Sequence, residues 1–363
     1  MNQVCLIGYF PPPVHGMSLV TVGIKNRLVA MGCMPYIFDL STQGLNRSVF
    51  FRASKLSIVL RGIPALVRWL RCSEKCIVYL ALSGGNGQIF DMILLLLVRI
   101  FGAQVYIHHH SYQYINRYSF LTKCLFQVAG KKAKHILLGE RMAKQLKVRY
   151  QSPALNTIVL SNAAFIEPQS ERLPMQQNKP LHVGFLSNIA KEKGIDCFIG
   201  LIEAAKQQDI CIRASIAGPF QDGFTEKRIM ERIHQFGEMV RYIGSQYGDD
   251  KHQFLDSLDV LLFPTEYNNE AAPLVIYEAL SHGVPVISKK RGVIGDMIKE
   301  DAGLVLSDNE FEQHTLSQLV QWSHNRADLC YAKKRAFKSF ICMQKSAEAS
   351  SDKVCSDLTG CKI

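Results

Sequence analysis

The chain alternates short apolar runs with longer stretches of helical period. Residues 4–7, 35–39, 76–80, 104–108 and 135–138 each predict a buried strand, and helix-like segments separate them, the first over about 17–31. Strands that alternate with helices predict a mostly parallel sheet covered on both faces. Residues 155–160 lead through Ser161-Asn162 into a polar, proline-containing stretch at 167–180, which reads as a hinge. Beyond it, residues 182–186, 210–217, 241–243, 260–263 and 284–288 predict the strands of a second α/β unit, with helices clearest over 194–206 and 225–236. Pro285 gives up a ladder donor, which a strand tolerates near its start.

The expected organisation is a domain over 1–165, a second over 166–327, a basic helix over 328–340 packing back toward the first domain, and a poorly structured tail over 341–363. The tail is rich in Ser, Lys and Cys and has no clear period.

Composition excludes several classes. Hydrophobic residues make up 48% and charged residues 20%, so most of the chain is expected to fold. The most apolar window is 88–107, but Asp91 and Arg99 bracket its Met92–Val98 run at seven residues. A spanning helix needs about 20, so a buried helix followed by a strand is expected instead. The N-terminus runs straight into the first strand with no basic leader, pointing to a cytoplasmic protein. Eleven cysteines lie mostly in apolar runs, where a reduced thiol packs as a small hydrophobe. Cys72 and Cys76 lack a second Cys/His pair for zinc. Neither a phosphate-binding Gly-x-x-x-x-Gly-Lys loop nor a Gly-x-Gly-x-x-Gly turn after the first strand is present.

Charge separates the two halves. Residues 1–165 hold 19 Lys/Arg against 4 Asp/Glu, while residues 166–363 hold 23 against 27. A basic half suits an anionic membrane surface or a phosphorylated substrate as well as a merely solvated face. Nucleic acid is not expected, because no basic-aromatic interleaving or reader motif is present. Residues 52–71 mix Arg and Lys with Leu, Ile, Val and Trp at roughly helical spacing, the composition of a peripheral membrane helix, although Gly62 and Pro64 interrupt it.

The chemistry concentrates in Glu270-Ala-Ala-Pro-Leu-Val-Ile-Tyr-Glu278. Residues 264–270 form the loop at the carboxyl end of the strand 260–263, where open α/β sheets place ligands. Pro273 suits the first turn of the following helix, and the amides of Ala272 and Leu274 can face an anion such as a diphosphate. Glu278 falls in the second turn, roughly 7–8 Å further on. It could accept from a ribose diol while Glu270 holds sugar hydroxyls at the other end. A solvated pair of surface carboxylates fits the spacing equally well.

This segment, with the Gly283-Val-Pro285 strand start behind it, resembles the retaining glycosyltransferases of the sucrose synthase-like family 4. Their fold is GT-B: two Rossmann-like α/β/α domains facing each other across a cleft. The resemblance implies that Glu278 binds the nucleotide ribose, Glu270 the donor sugar, and residues Ala272, Pro273 and Leu274 the phosphates. It places Gly16, in the turn His15-Gly16-Met17, near the donor phosphates, and His110, at the end of Gln104-Val-Tyr-Ile-His-His-His110, near the sugar. Lys193 in Lys191-Glu-Lys193-Gly194 resembles the phosphate-neutralising lysine. The arginine that usually accompanies it is missing, with Phe185, Leu186 and Ser187 around its position.

The implied activity is retaining transfer of a hexosyl or N-acetylhexosaminyl unit from a UDP- or GDP-sugar, with no cofactor and no metal, to a hydroxyl acceptor. A lipid-linked saccharide of O-antigen, capsule or another surface polysaccharide is expected, met at the inner face of the cell membrane. A GT-B epimerase or phosphorylase, or a non-catalytic nucleotide-sugar-binding protein, are the alternatives.

Overall fold

The computed structural model describes residues 2–41, 49–72, 75–169 and 179–361, with the side chains of 49–53 left aside. Most of the hinge expected at 167–180 lies outside the described residues. Two units divide the chain: Met1–Phe165 with Lys345–Ile363, and Ile166–Gln344.

The first unit is built on β1 (Gln3–Gly8), β2 (Tyr36–Asp39), β3 (Cys76–Leu82), β4 (Gln104–His109), β5 (Lys134–Leu137) and β6 (Asn156–Val159). All pair in parallel, in the order β2-β1-β3-β4-β5-β6. The connecting helices are α1 (Gly16–Ala30), α2 (Val49–Arg71), α3 (Gln88–Ile100), α4 (Gln113–Asn116), α5 (Phe120–Ala129) and α6 (Glu140–Arg149). The chain steps from β1 to β2 in one direction and from β2 onward in the other. Right-handed crossovers therefore put α1 on one face of the sheet and α2, α3, α5 and α6 on the other.

The second unit repeats the plan with β7 (Leu181–Leu186), β8 (Ile212–Ala217), β9 (Val240–Tyr242), β10 (Val260–Phe263), β11 (Val286–Lys289) and β12 (Gly303–Leu306). Their order is β12-β11-β10-β7-β8-β9, again all parallel. Its helices are α7 (Ile195–Gln207), α8 (Gly223–His234), α9 (Gly248–Ser257), α10 (Leu274–Ser281), α11 (Ile294–Met297) and α12 (Phe311–His324), followed by α13 (Arg326–Thr359). The core packs Phe185, Phe198, Ile202, Ile216, Leu262 and Trp322 between the sheet and its helices. Pro285 stands just before β11 and its carbonyl accepts from Leu261 N–H at 3.0 Å.

Several expectations are corrected. The loose tail expected over 341–363 is not found among its described residues, because α13 continues unbroken to Thr359. Residues 345–359 belong to the first unit, where Arg27 pairs with Asp352 and Lys134 with Asp357, each at 2.7 Å. The helix hides its period because small residues, Ala347, Ser351 and Cys355, carry much of the buried face beside Val354 and Leu358. α2 runs through Gly62 and Pro64 without a break, and a Cβ on Gly62 would meet the Phe38 ring at 2.5 Å. The strand β12 carries no clear pattern in sequence, since only Gly303 of its four residues is fully buried. Finally, α3 is not a buried helix: Ile89, Ile93, Leu96 and Ile100 are exposed.

Candidate functional site

In the second unit the strand order reverses between β7 and β10. A parallel sheet opens a crevice at such a point, outside the carboxyl ends of its strands. The loop after β7 supplies Lys193 and the loop after β10 supplies Glu270. Lys193 Nζ donates to Glu270 Oε2 at 2.7 Å, lies 4.9 Å from the centre of the Tyr267 ring, and both charged side chains are largely shielded from solvent. Thr265 Oγ1 also donates to Glu270 Oε2, at 3.4 Å.

Two glycines make this approach possible. Gly194 has φ +83°, and a Cβ there would sit 2.1 Å from the Pro264 carbonyl oxygen. Gly292 has φ +47°, and its Cβ would sit 2.3 Å from Glu270 O and 2.4 Å from Ala271 O. Only a residue without a side chain allows both the left-handed backbone and the contact. The neighbouring Val293 N–H then donates to Ala271 O at 3.0 Å, so the Glu270 backbone is clamped from beneath. The Glu266 N–H to Glu192 O bond, at 3.0 Å, ties the two loops together.

Pro273 is the N-cap of α10 and not a member of its first turn, a small correction; its ψ of 126° is extended, and Leu274 is the first helical residue. No side chain caps this end. Its first-turn amides, Leu274 among them, keep the partial positive charge of a helix start. Glu278, one turn on, accepts from Lys251 Nζ of α9 at 2.6 Å. Behind it His282 Nδ1 meets Asp256 at 2.7 Å and His282 Nε2 meets His252 at 3.0 Å, fixing the end of α10. Glu270, Ala272, Leu274 and Glu278 thus belong to one strand-loop-helix arrangement, and Lys193 reaches it from the loop after β7. At the position of the absent arginine, Phe185 and Leu186 are buried, and Lys191 points to solvent from a short 3-10 turn. Lys251, Thr265, Tyr267 and Gly292 escaped the sequence reading. Gly292 alone left a signal there, as a glycine following a strand with basic flanks.

The first unit has its own reversal point, between β1 and β3. His15 caps α1: its Nδ1 accepts from Ser18 N–H at 3.2 Å, and Ser18 Oγ accepts from His15 N–H at 3.0 Å. Gly16 opens the helix with ordinary helical backbone, so what it contributes there is the absence of a side chain. The three histidines divide as an extended strand requires. His108 is buried with Nδ1 2.6 Å from the Tyr79 hydroxyl, and His109 is buried between Tyr114 and His135 at 2.9 and 3.0 Å. His110 lies past the end of β4 with only an edge of the residue exposed; its Nε2 is buried and has no hydrogen-bond partner among the described residues. Burial, aided by nearby His15, pushes the His110 imidazole down to about 3, so it is neutral at physiological pH.

Sequence reasoning missed a further cluster at this reversal point. The Lys55 ammonium, 3% exposed, bonds Tyr9 Oη and Ser83 Oγ, and Ser83 in turn donates through N–H and hydroxyl to Asp91 at 2.8 and 3.2 Å. Burial raises the Asp91 carboxyl to about 6. Among the described residues no group of three or more His, Cys, Asp or Glu could hold a metal ion.

Residues 165–338 match the sequence profile of the family described as Glycosyl transferases group 1. The amylovoran biosynthesis glycosyltransferase AmsK of Erwinia amylovora is 23% identical over 170 residues, 45% of this chain and 42% of that protein. A GDP-mannose-dependent alpha-mannosyltransferase of Mycobacterium tuberculosis is 29% identical over 159 residues, 44% of this chain and 38% of that protein. The match thus spans about two fifths of the length of these curated relatives. Among solved structures, Anabaena Alr3699/HepE in complex with UDP superposes with a TM-score of 0.71 at 14% identity, over 99% of both chains. Residues 165–338 are therefore related to the glycosyl transferases of group 1, carried on a chain with the GT-B fold of two Rossmann-like α/β domains.

Proposed function

We propose that this chain is a retaining glycosyltransferase that moves a hexosyl or N-acetylhexosaminyl unit from a UDP- or GDP-sugar to a hydroxyl acceptor without a metal ion. The observation that carries the reading is the meeting of Lys193 and Glu270 at the reversal point of the second sheet, with an uncapped helix start four residues on in the chain and Glu278 one turn into that helix. The relatives support it: AmsK is named for amylovoran biosynthesis, and the mycobacterial protein uses GDP-mannose.

The chemical problem is the negative charge that builds on the departing diphosphate. Fixed donors aimed at that charge lower the barrier because they need no reorganisation during the reaction. Lys193 supplies one, and the backbone at Ala272, just before the cap Pro273, and the Leu274 amide that opens α10 supply others. Gly16 adds no side chain where α1 begins, which leaves its own backbone open to a further approach by phosphate. Glu270 orients the sugar hydroxyls, His110 contacts the transferred sugar as a neutral imidazole, and Glu278 accepts from the ribose diol. Because the arginine partner is missing, Lys193 bears the phosphate charge with only the helix field to help. Among the described residues of the site none pairs a side-chain nucleophile with a base, which favours a front-face route in which the leaving phosphate takes the acceptor proton.

The acceptor assigned to it is a lipid-linked saccharide of O-antigen, capsule or another surface polysaccharide, met at an anionic membrane surface on the cytoplasmic side. The basic first half of the sequence supports this choice. A thermal-shift screen with UDP- and GDP-sugars, without added metal, tests the donor. Stabilisation by neither class would sink the reading, and turnover of a UDP-sugar with no acceptor present would favour an epimerase instead.

A further inference from the structure

The side of the first sheet covered by α2, α3 and α5 is unusual for a water-facing layer. On α3, Ile89, Ile93, Leu96 and Ile100 follow one another at intervals of four, three and four residues, the spacing of a single helix face. On α2, which packs beside α3, Leu56 and Leu60 do the same. These six side chains are between 41% and 72% exposed. An apolar stripe of this continuity marks a surface that meets something other than water.

Charge says what that something is. α2 and α5 contain no acidic residue, and the single acid of α3, Asp91, is fully buried. Arg61, Arg68, Arg71 and Lys123 are exposed on the same layer. The α3 stripe ends at Ile100, beside a cavity of about 590 Å³ lined by Arg99, Lys131, Lys132, Lys134, Gln104 and Asn156. Lys134 is already paired with Asp357, while Lys131 and Lys132 are exposed on the loop before β5. The cavity therefore offers concentrated positive charge at the edge of an apolar face.

We propose that this face docks on an anionic lipid bilayer, with the α3 and α2 stripes entering the interfacial region and the Arg99–Lys131–Lys132 cavity taking lipid phosphate. Apolar insertion and attraction to acidic headgroups are the two contributions that hold an interfacial helix, and both are present on one layer. A second copy of this chain is a poorer occupant, since it would bring the same cations against themselves. The proposal rests on the membrane location assigned above only for its biological setting; the surface itself is independent of the sugar-transfer chemistry.

Vesicle flotation of the full chain tests it. The chain should float with vesicles of equal phosphatidylglycerol and phosphatidylcholine, much less with phosphatidylcholine alone, and less as salt is raised. Ile93→Asp with Ile100→Asp should abolish flotation. Lys131→Ala with Lys132→Ala should weaken partitioning roughly 25-fold, about fivefold per cation near an acidic surface. Val29→Asp on α1, across the sheet from this layer, and Phe224→Asp in the second unit, both exposed, should float as the parent does. Absence of flotation by the parent, or parental flotation by Ile93→Asp/Ile100→Asp, overturns the proposal. So does lipid-free self-association that the same pair of substitutions dissolves. Thermal shifts with nucleotide-sugars on the same variants keep the two readings apart. Flotation without a shift would remove the transferase reading and leave the docking face, and a shift without flotation would do the reverse.

Discussion

Lys193 Nζ and Glu270 Oε2 stand 2.7 Å apart, although 77 residues separate them in the chain. The carboxylate assigned to the sugar and the ammonium assigned to the phosphate are therefore direct partners. Each neutralises the other's charge in a site that both side chains largely share away from solvent. Glu270→Gln keeps the shape and a hydrogen-bond acceptor for Lys193 but loses the charge. It is expected to lower kcat by about 100-fold or more while nucleoside diphosphate still binds. Lys193→Met should weaken diphosphate binding itself and leave Glu270 buried without its partner, costing about 1–3 kcal/mol of stability. Calorimetry and steady-state kinetics on both variants separate these outcomes; equal effects on binding and turnover in Glu270→Gln would contradict the roles.

Glu278 is tied to Lys251 in the same way, at 2.6 Å. Its proposed ligand is a ribose diol, so Glu278→Ala should raise the Kd for a nucleoside diphosphate by roughly 10- to 100-fold, the worth of a charge-assisted hydrogen bond. Inorganic pyrophosphate, which has no ribose, should bind as before. Competition binding with the two ligands reads this directly.

Gly292 supports Glu270 from below, with its would-be Cβ at 2.3 Å from the Glu270 carbonyl oxygen. Gly292→Ala adds a left-handed backbone penalty to a steric one, about 1–3 kcal/mol in strain. The strain falls on the loop that carries the carboxylate, so activity should drop further than stability alone predicts. Thermal melts beside kinetics test that disproportion, and Gly223→Ala, where a Cβ meets nothing within 4 Å, is the matched control.

Acid should destabilise the first unit. Burial holds His108 and His109 well below the usual imidazole range, and brings His135 to about 4 and His110 to about 3. The unfolded chain protonates these groups near pH ~6.5 while the folded chain does not, so stability is lost as pH falls from there toward the folded values. Asp91 works the other way. Its carboxyl, raised to about 6, gives a contribution that is present in acid and lost as pH rises through about 6. Denaturant melts from pH 7 to pH 5 should therefore show falling stability, by about 1.4 kcal/mol per pH unit for each histidine. Asp91→Asn should steepen that loss, and His135→Phe should flatten it. A flat profile in the parent would count against neutral buried histidines.

Removal of residues 345–363 should prevent the first unit from folding stably. Val354, Cys355 and Leu358 are fully buried, and the N-terminal strand is anchored where Asn2 N–H donates to Thr359 O at 2.8 Å. Soluble yield and circular dichroism of the truncated chain measure this; a fully folded product would show the helix end to be dispensable.

The alternation of strands and helices was plain in sequence because period 2 and period 3.6 patterns report burial directly. The same logic failed where burial is carried by small side chains, as at Ala347, Ser351 and Cys355 of α13. It failed in the opposite sense on α3, whose Ile89, Ile93, Leu96 and Ile100 are as apolar as any core residue and yet face outward. Hydrophobicity alone does not tell which apolar face meets the sheet. The Glu270–Glu278 spacing was legible because a strand, a loop and a helix start adjoin it in sequence. Lys251 was not, since nothing local marks a lysine 27 residues from its carboxylate, and Gly292 showed only as a glycine after a strand, with no sign of the loop it lies beneath.

By itself the sequence determined the parallel α/β character of both halves, the uneven charge and the local chemistry around Glu270, Pro273 and Glu278. These follow from nearest neighbours along the chain and from periodicity. The tertiary structure alone decided that Lys193 meets Glu270, that His108 and His109 are hydrogen-bonded to neighbouring side chains while the buried His110 Nε2 has no partner among the described residues, and that the apolar stripes of α2 and α3 lie on one cation-rich layer. Each of these depends on strand order. It sets which loops share a crevice and which helices share a face, over separations that local pattern does not encode.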